Sequence, residues 1–551
     1  MESEAITPSK VSAKSAKAGF RGFLRGFVKN PVVVSRVFVS KVTSDPARVV
    51  HAATDAMPPR MRPVVGWVAG PAGHLARLTM RKIMSPSLDK AKAEYDAGRM
   101  SAAVELLRPR AKWPLVRKRI AFYEGERAAI GADPIPPKPK VIMGERVTGR
   151  VLHMVTNALP YTQAGYTVRT HRIVTAQAKE GLDPHVVTSW GWPMLQGHAE
   201  ATPYEEIDGV PYYRLLPKGD VPFESRGRMI RGAADVSELV RTLRPQVLHA
   251  ATDHRNGSVA LAVRERTGTP FVYEVRGFLE ETWTSRDPIR IGSERHVMQR
   301  DREAHIMREA DAVVTLAETM ATEIVERGVP RDRIHLAPNA VDDALLTADY
   351  DGSAFRDMYG IAKGEIVVGS VSSIVGYEGF ATLLSAAALL RDAGTPVRVL
   401  IVGDGAERPA LLAQVERLGL RDVALLPGRV GPEEALQAQA AIDIFACPRE
   451  DLRVCRLVTP LKPVEAMALG KPVVLSDLPA LSELVGADGA GLLVPPGDPE
   501  AFAKALAALR DDPERRRVMG EAGRAEVAAR RTWSSLARTY RRIYQDLAES
   551  R

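Results

Sequence analysis

From Val151 onward, short apolar runs alternate with longer segments whose apolar positions recur every three or four residues. VLHMVT (151–156), PHVVTS (184–189), PQVLHA (245–250), PFVYEV (270–275) and ADAVVTL (310–316) read as buried strands. YTVRTHRIVTAQAKEG is the clearest of the helices between them. A second series follows: GEIVVGSVS (364–372), PVRVLIVGDG (396–405), VALLPG (423–428), AIDIFACP (441–448), PVVLSD (472–477) and GLLVPP (491–496). Strand and helix in alternation, twice over, predict two facing doubly wound α/β domains with parallel sheets. In such sheets ligands bind beyond the carboxyl ends of the strands, so two facing domains create one cleft. RRTWSSLARTYRRIYQDLAES is a last long helix with no strand after it.

The first 150 residues have a different texture. AKAEYDAGRMSAAVELLR folds about a turn at Gly98 into one tetratricopeptide-type hairpin, with no second copy at that period, so a small helical cap is expected. GADPIPPKPK (131–140) is a proline-rich, charged linker. Near the start, Phe20, Phe23, Leu24 and Phe27 recur at helical spacing while Arg21, Arg25 and Lys29 point elsewhere around the axis. That pattern suits a basic amphipathic helix in a membrane interface, the alternative being a flexible basic tail. The domain reading is 1–41 basic segment, 42–130 helical region, 131–147 linker, 148–343 first α/β domain, 344–530 second, and 531–551 a helix crossing back to the first.

Charge sharpens this division. Residues 1–150 hold 28 Lys and Arg against 12 Asp and Glu, a net of +16 in a chain whose total is +9. A basic head on a mildly acidic body points to a polyanionic surface. With aromatics at 6%, anionic lipid is expected as that partner and nucleic acid is not. No run of eighteen apolar residues exists, and MESEAITPSKVSAKSAKAGF lacks a secretory apolar core. Cys447 and Cys455, the only cysteines, have no metal spacing, and neither His249 nor His254 stands in an HExxH motif. A cytoplasmic enzyme, peripheral at the inner face of the cell membrane, is the resulting expectation.

Candidate chemistry concentrates in the second α/β domain. Gly403 and Gly405 after a strand let backbone approach a ligand, or make a tight turn, and Asp404 between them can accept hydrogen bonds. Glu465 opens a helix in KPVEAMALG, where a carboxylate favours the helix dipole and can also accept two hydroxyls. In the first domain Gly165 opens a helix whose start favours an anion.

IVGDGAERPALLAQVERLGLRDVALLPGRV, FACPRED and TPLKPVEAMALGKPVVLSDLPALSELVGADGAGLLVPPGDPEAFAKAL together resemble the carboxyl half of family 4 glycosyltransferases, which have the two-domain GT-B fold. The resemblance runs from about Val151 to the end. It implies a retaining transferase with a nucleotide-diphosphate sugar as substrate, no metal or other cofactor, and a glycan or lipid-linked acceptor. It further implies that Arg429 and Val430 hold the nucleotide base through backbone groups and Glu465 the ribose diol. By the same resemblance Gly165, in VTNALPYTQAGYTVRTHRI, lies under the donor phosphates and near the acceptor, and His249, in VLHAATDHRNG, occupies the family's second landmark.

Three departures stand out. Arg276–Gly277 replaces the usual histidine–glycine, and an arginine cannot act as a base but can bind a hydroxyl or phosphate. Ser373 and Glu378 stand where an arginine and a lysine commonly neutralise the diphosphate, and Leu457 replaces the first glutamate of a common pair. The combination of YEVRGFLEE, SSIVGYEG and VTPLKPVEAMA resembles a branch of the family in which such changes occur together, and that resemblance implies compensating cations at Lys462, Arg456 and Arg453. The expected catalytic set is Arg276, Lys462 and Arg456. A non-catalytic GT-B protein binding nucleotide or glycan, and another GT-B enzyme such as a sugar-nucleotide epimerase, are the alternatives.

Overall fold

A computed structural model of the chain describes residues 86–347, 350–486 and 489–549. The basic segment 1–41, with its expected membrane-facing helix, lies outside the described residues. Fourteen strands are described: β1 Val147–Val155, β2 Asp183–Thr188, β3 Tyr204–Ile207, β4 Val210–Arg214, β5 Pro245–Ala251, β6 Phe271–Val275, β7 Ala312–Thr315, β8 Ile334–Leu336, β9 Val367–Val371, β10 Arg398–Val402, β11 Ala424–Gly428, β12 Ile444–Cys447, β13 Val473–Ser476 and β14 Gly491–Val494. They form an eight-stranded sheet in the order β3-β4-β2-β1-β5-β6-β7-β8 and a six-stranded sheet in the order β11-β10-β9-β12-β13-β14. One compact unit runs through Tyr273 and includes Ile289–Asp311; the other comprises Glu274–Pro288 and Ala312–Ser550.

Every predicted strand is present, with ends that differ by a few residues. β1 begins early, at Val147, because Val147 pairs with Pro245 before a register shift restores the ladder at Val151. Two features escape the apolar pattern. β3 and β4 form an antiparallel hairpin closed by Asp208–Gly209, both at positive φ (48° and 75°), a two-residue Asp-Gly turn whose twist suits the flanking strands. β8 has only three residues, too few to show a period.

The six-stranded sheet is parallel throughout. Its core follows from the two-residue period of a strand, which sends alternate side chains to opposite faces. Val368, Val399, Ile401, Ile444, Ala446 and Val474 pack on one face with Leu383 and Leu384 of helix Phe380–Asp392 and Leu506 of helix Pro499–Arg510. Their neighbours point the other way, Val367 and Leu400 toward Phe355, and Phe445, Val473 and Leu475 toward Val464 and Met467. Both faces are therefore dry, which is why these strands read as continuous apolar runs. The chain winds outward from β9 through β10 to β11, returns to lay β12 beside β9, and winds outward again. The strand order thus reverses between β9 and β12, the point where α/β sheets open a crevice for ligands.

In the unit that runs through Tyr273, β1 lies parallel to β2 and β5. Ahead of it a helix over 86–96 turns at Gly98 into helix Met100–Leu107, followed by helix Pro114–Ala129. Ala91, Ala103, Val104, Leu107, Val116 and Tyr123 form their shared core, with Tyr95 stacked on Tyr123 at 4.4 Å.

Leu506→Ala removes a fully buried side chain between helix and sheet and is expected to cost about 2–5 kcal/mol in urea unfolding. Leu493→Ala, on the partly exposed edge strand β14, is expected to cost less than about 1 kcal/mol in the same assay.

Candidate active site

The reversal point is occupied by charge. Glu378 follows β9, Arg449 follows β12, and both are buried. Arg449 Nη2 donates to Glu378 Oε1 at 2.7 Å, its Nη1 donates to the Val458 carbonyl at 3.1 Å, and the guanidinium lies over the Tyr377 ring. Burial alone would loosen the arginine's proton, but the Glu378 carboxylate outweighs it and holds the proton more tightly than usual. The place expected for a phosphate-neutralising cation thus holds a closed ion pair. Burial pushes the neighbouring Cys447 thiol up to about 12, so it stays neutral.

Four segments of the same unit meet beside this pair. Val458 touches the Arg449 side chain, and a Cβ built on Gly277 would lie 3.9 Å from it. Asn339 Nδ2 donates to the Thr459 carbonyl at 2.9 Å. The chain then enters helix Lys462–Ala468, where Lys462 Nζ and Glu465 Oε2 are 3.0 Å apart and both remain partly accessible. Arg276 donates from Nη2 to Glu274 Oε2 at 2.7 Å, and the other oxygen of this fully buried carboxylate accepts the Tyr540 hydroxyl at 3.0 Å. Glu274 therefore aims Arg276 from behind.

The remaining expected cations are also tied. Arg453 donates from Nε to Glu281 at 3.0 Å and from Nη2 to Glu323 at 2.7 Å, and Glu323 is shared with buried Arg327. Arg456 lies nearer solvent, its Nη2 2.6 Å from Asp451. Along the rim, Gly403 and Gly405 follow β10. A Cβ at Gly403 (φ +145°) would stand 1.8 Å from the Ser372 carbonyl oxygen, and one at Gly405 2.0 Å from that of Ile374. The loop after β9 takes up the space these glycines provide. Asp404 is exposed and its Oδ1 accepts the Gly405 N–H at 2.9 Å. Gly403 N donates to the Gly428 carbonyl at 2.9 Å, which sets Arg429 (exposed) and Val430 (half-buried) beside the same turn.

The unit that runs through Tyr273 holds a cavity of about 150 Å³ beyond the carboxyl ends of β1 and β2. Trp190, Trp192, Arg228, Arg255, Asn157 and Asn256 are among its walls. Asp253 grips Arg255 and is itself held well below the usual carboxylate range, the Arg255 charge outweighing burial. Among the described residues Arg228 has no carboxylate at hydrogen-bond distance; it donates to the Phe223 and Glu224 carbonyls, and burial lowers its proton affinity. The buried Oδ1 of Asn157 has no hydrogen-bond partner among the described residues. Gly165 opens helix Gly165–Lys179 in open space, so sterics do not demand a glycine there. His249 is buried on β5, its ring 4.8 Å from that of His153 on β1.

Known proteins share this framework. The family model described as "Glycosyl transferases group 1" matches residues 353–526, and "Glycosyl transferase 4-like domain" matches 164–340. A D-inositol 3-phosphate glycosyltransferase of Segniliparus rotundus is 26% identical over 74% of this chain and 90% of its own length. The protein of the same name from Nocardia farcinica is 36% identical over 40% of this chain and 49% of its own length. The structure of Anabaena Alr3699/HepE in complex with UDP superposes with a TM-score of 0.55, covering 72% of this chain and all of that one at 20% identity.

The chain belongs to the family 4 glycosyltransferases. Its GT-B fold and transferase class agree with the expectation from the motifs. Within this glycosyltransferase the structure brings Lys462 and Glu465 together, sets the Arg276–Gly277 segment against Val458 just ahead of them, and groups Gly403, Asp404, Gly405, Arg429 and Val430 at another stretch of the rim. Sequence reasoning missed Arg449, Glu274 and the Glu281–Glu323 pair that holds Arg453. A signal existed for the first: a glutamate where a cation is expected calls for a nearby arginine, and ACPRED supplies one.

Glu378→Ala leaves Arg449 buried and unpaired and is expected to cost about 3–5 kcal/mol in denaturant unfolding; Glu378→Gln should cost less, because the amide oxygen can still accept a hydrogen bond. Burial drops His254 to about 4, with the cations of Arg255, Arg302 and Arg295 adding to the effect against the opposing charge of Asp253. The unfolded chain takes up that proton near pH 6.5 and the folded chain near 4. Stability is therefore complete above about pH 6.5 and falls as the pH drops to about 4, by on the order of 3 kcal/mol. His254→Gln should flatten that part of the stability–pH curve.

Proposed function

We propose that this glycosyltransferase moves a sugar from a nucleotide-diphosphate sugar to a glycan or lipid-linked acceptor with retention at the anomeric carbon. Its setting is the cytoplasmic face of the cell membrane, in the synthesis of surface polysaccharide or glycoconjugate, with the basic segment 1–41 contributing to attachment. The observation that carries the reading is the Lys462–Glu465 pair, on the helix that follows the reversal point of a six-stranded parallel sheet. A carboxylate there suits the ribose diol and the ammonium beside it suits the diphosphate. Arg429 and Val430 meet the base through their backbone, and Gly403–Gly405 line the rim between.

The acceptor hydroxyl forms the new bond from the side the diphosphate leaves, and its proton passes to a departing phosphate oxygen. Catalysis then rests on positioning and on charge stabilisation of the leaving group. No metal or other cofactor takes part in this reading; Lys462, Arg456 and Arg453 supply the positive charge, and Arg276, aimed by Glu274, orients the acceptor or donor. Gly165 and His249 belong to the acceptor side. The cavity with two indoles and two arginines supports an acceptor that combines a ring with an anionic group.

Thermal shift with UDP, GDP, ADP and their sugar conjugates tests the proposal, with UDP first because the Anabaena neighbour was solved with it. Binding to the native state raises the melting point by mass action. One nucleotide is expected to give a clear rise that Glu465→Ala abolishes; the absence of a rise with all three, or an undiminished rise in the variant, overturns the placement of the donor.

A further inference from the structure

The helical hairpin ahead of the two matched domains has a job that its packing reveals. Its base is fastened to the unit that carries it. Glu294 accepts from Ser101 N (2.7 Å), Ser101 Oγ (2.6 Å) and Arg127 Nε (2.6 Å), so one carboxylate holds the start of one helix and the end of the other. Glu126 accepts from the backbone N–H (2.6 Å) and hydroxyl (2.9 Å) of Ser225 and so caps helix Ser225–Leu243. Phe122 stacks on Phe223 close by, and Arg295 N donates to the Gly98 carbonyl.

The other end is the turn between helices Met100–Leu107 and Pro114–Ala129. Leu115 and Glu126 are eleven positions apart on one helix, so the tip stands about 16 Å along the helix axis from the cap at the base. It carries RPRAKWPLVRKR (108–119): six Lys and Arg in twelve residues, with no acidic residue between Glu105 and Glu124. Arg108 pairs with those two flanking glutamates. Arg110, Lys112, Arg117 and Lys118 are exposed, and none pairs with a carboxylate among the described residues. Among them Trp113 is 37% and Leu115 57% exposed, whereas Leu107 and Val116 fill the hairpin's own core. The tip therefore presents apolar side chains that its fold leaves unused, ringed by unneutralised cations.

We propose that this tip is a docking surface for an anionic lipid bilayer. Tryptophan and leucine flanked by lysine and arginine match the headgroup boundary, where the rings and chains sink and the cations meet lipid phosphates. Charge complementarity extends along the chain: the 85 residues that lead into the hairpin add 14 Lys and Arg against 4 Asp and Glu. A nucleic acid is a poorer occupant, because a single exposed indole offers little to successive bases. This surface lies outside both matched domains, and it stands whether or not the donor site is placed correctly.

The test is sedimentation of the full chain with vesicles of phosphatidylcholine alone and of phosphatidylcholine with about one third phosphatidylglycerol. Binding is expected to the anionic vesicles and to weaken with added salt. Lys112→Glu combined with Arg117→Glu and Lys118→Glu should weaken it at least about tenfold. Trp113→Ser with Leu115→Ser should weaken it several-fold and remove the part that resists salt. Both variants change exposed positions and should keep the native melting point and its response to nucleotide, which separates this surface from the donor site. Equal sedimentation with both vesicles, undiminished binding by the charge variant, or preferential binding of a single-stranded RNA overturns the proposal.

Discussion

Everything at the carboxyl rim of the six-stranded sheet is arranged around one buried ion pair, Glu378 with Arg449. It joins the loop after β9 to the loop after β12, the two strands between which the strand order reverses. A buried pair of this kind gains little net stability, since removing two charges from water costs about as much as their attraction returns. Its effect is on register. The charges are satisfied only when the two loops meet in one arrangement, and Arg449 extends that requirement to Val458 and so to the approach of the helix bearing Lys462 and Glu465.

The other cations follow the same rule, each held by a carboxylate of its own unit. Arg276 leans on Glu274, Arg453 on Glu281 and Glu323, Arg456 on Asp451, and Lys462 on Glu465. Such pairing fixes where positive charge sits before any ligand arrives. It also lowers the field each cation projects, and a polyanionic ligand must compete with the carboxylates already present. The ties differ in strength: those on Arg276 and Arg453 run to buried carboxylates, while that on Arg456 is solvated and readily exchanged.

The fold was legible because parallel strands with two dry faces leave uninterrupted apolar runs, and all eleven runs read as strands are strands. The β3–β4 hairpin was not, since TPYEEIDGVPYYR sets Tyr204, Glu206 and Tyr213 on its outer face and carries Glu205, Tyr212 and Arg214 even on the inner one, so only its Asp-Gly turn marks it. β8 fell below the length at which any period can register. For the site, motif order placed Glu465, Lys462, Gly403 and Gly405 on the right elements. What it could not supply was pairing across hundreds of residues: Tyr540 with Glu274, or Arg453 with Glu281, have no local signature. Gly403 and Gly405 have a tie of the same kind, because the carbonyls that stand where a Cβ would be belong to a loop some thirty positions earlier.

That last contact has an evolutionary consequence. The obstacles at Gly403 and Gly405 are carbonyl oxygens of Ser372 and Ile374, parts of the main chain that no substitution can trim. A mutation at either glycine has no second-site cure by side-chain exchange; only a change in the length or path of the loop after β9 would relieve it, and that loop runs on to Glu378. The turn after β10 and the loop after β9 are thus inherited as a single block. Variation along this stretch of the rim, in nature or by engineering, falls to the side chains that project from this block and to Arg429 and Val430 at its border.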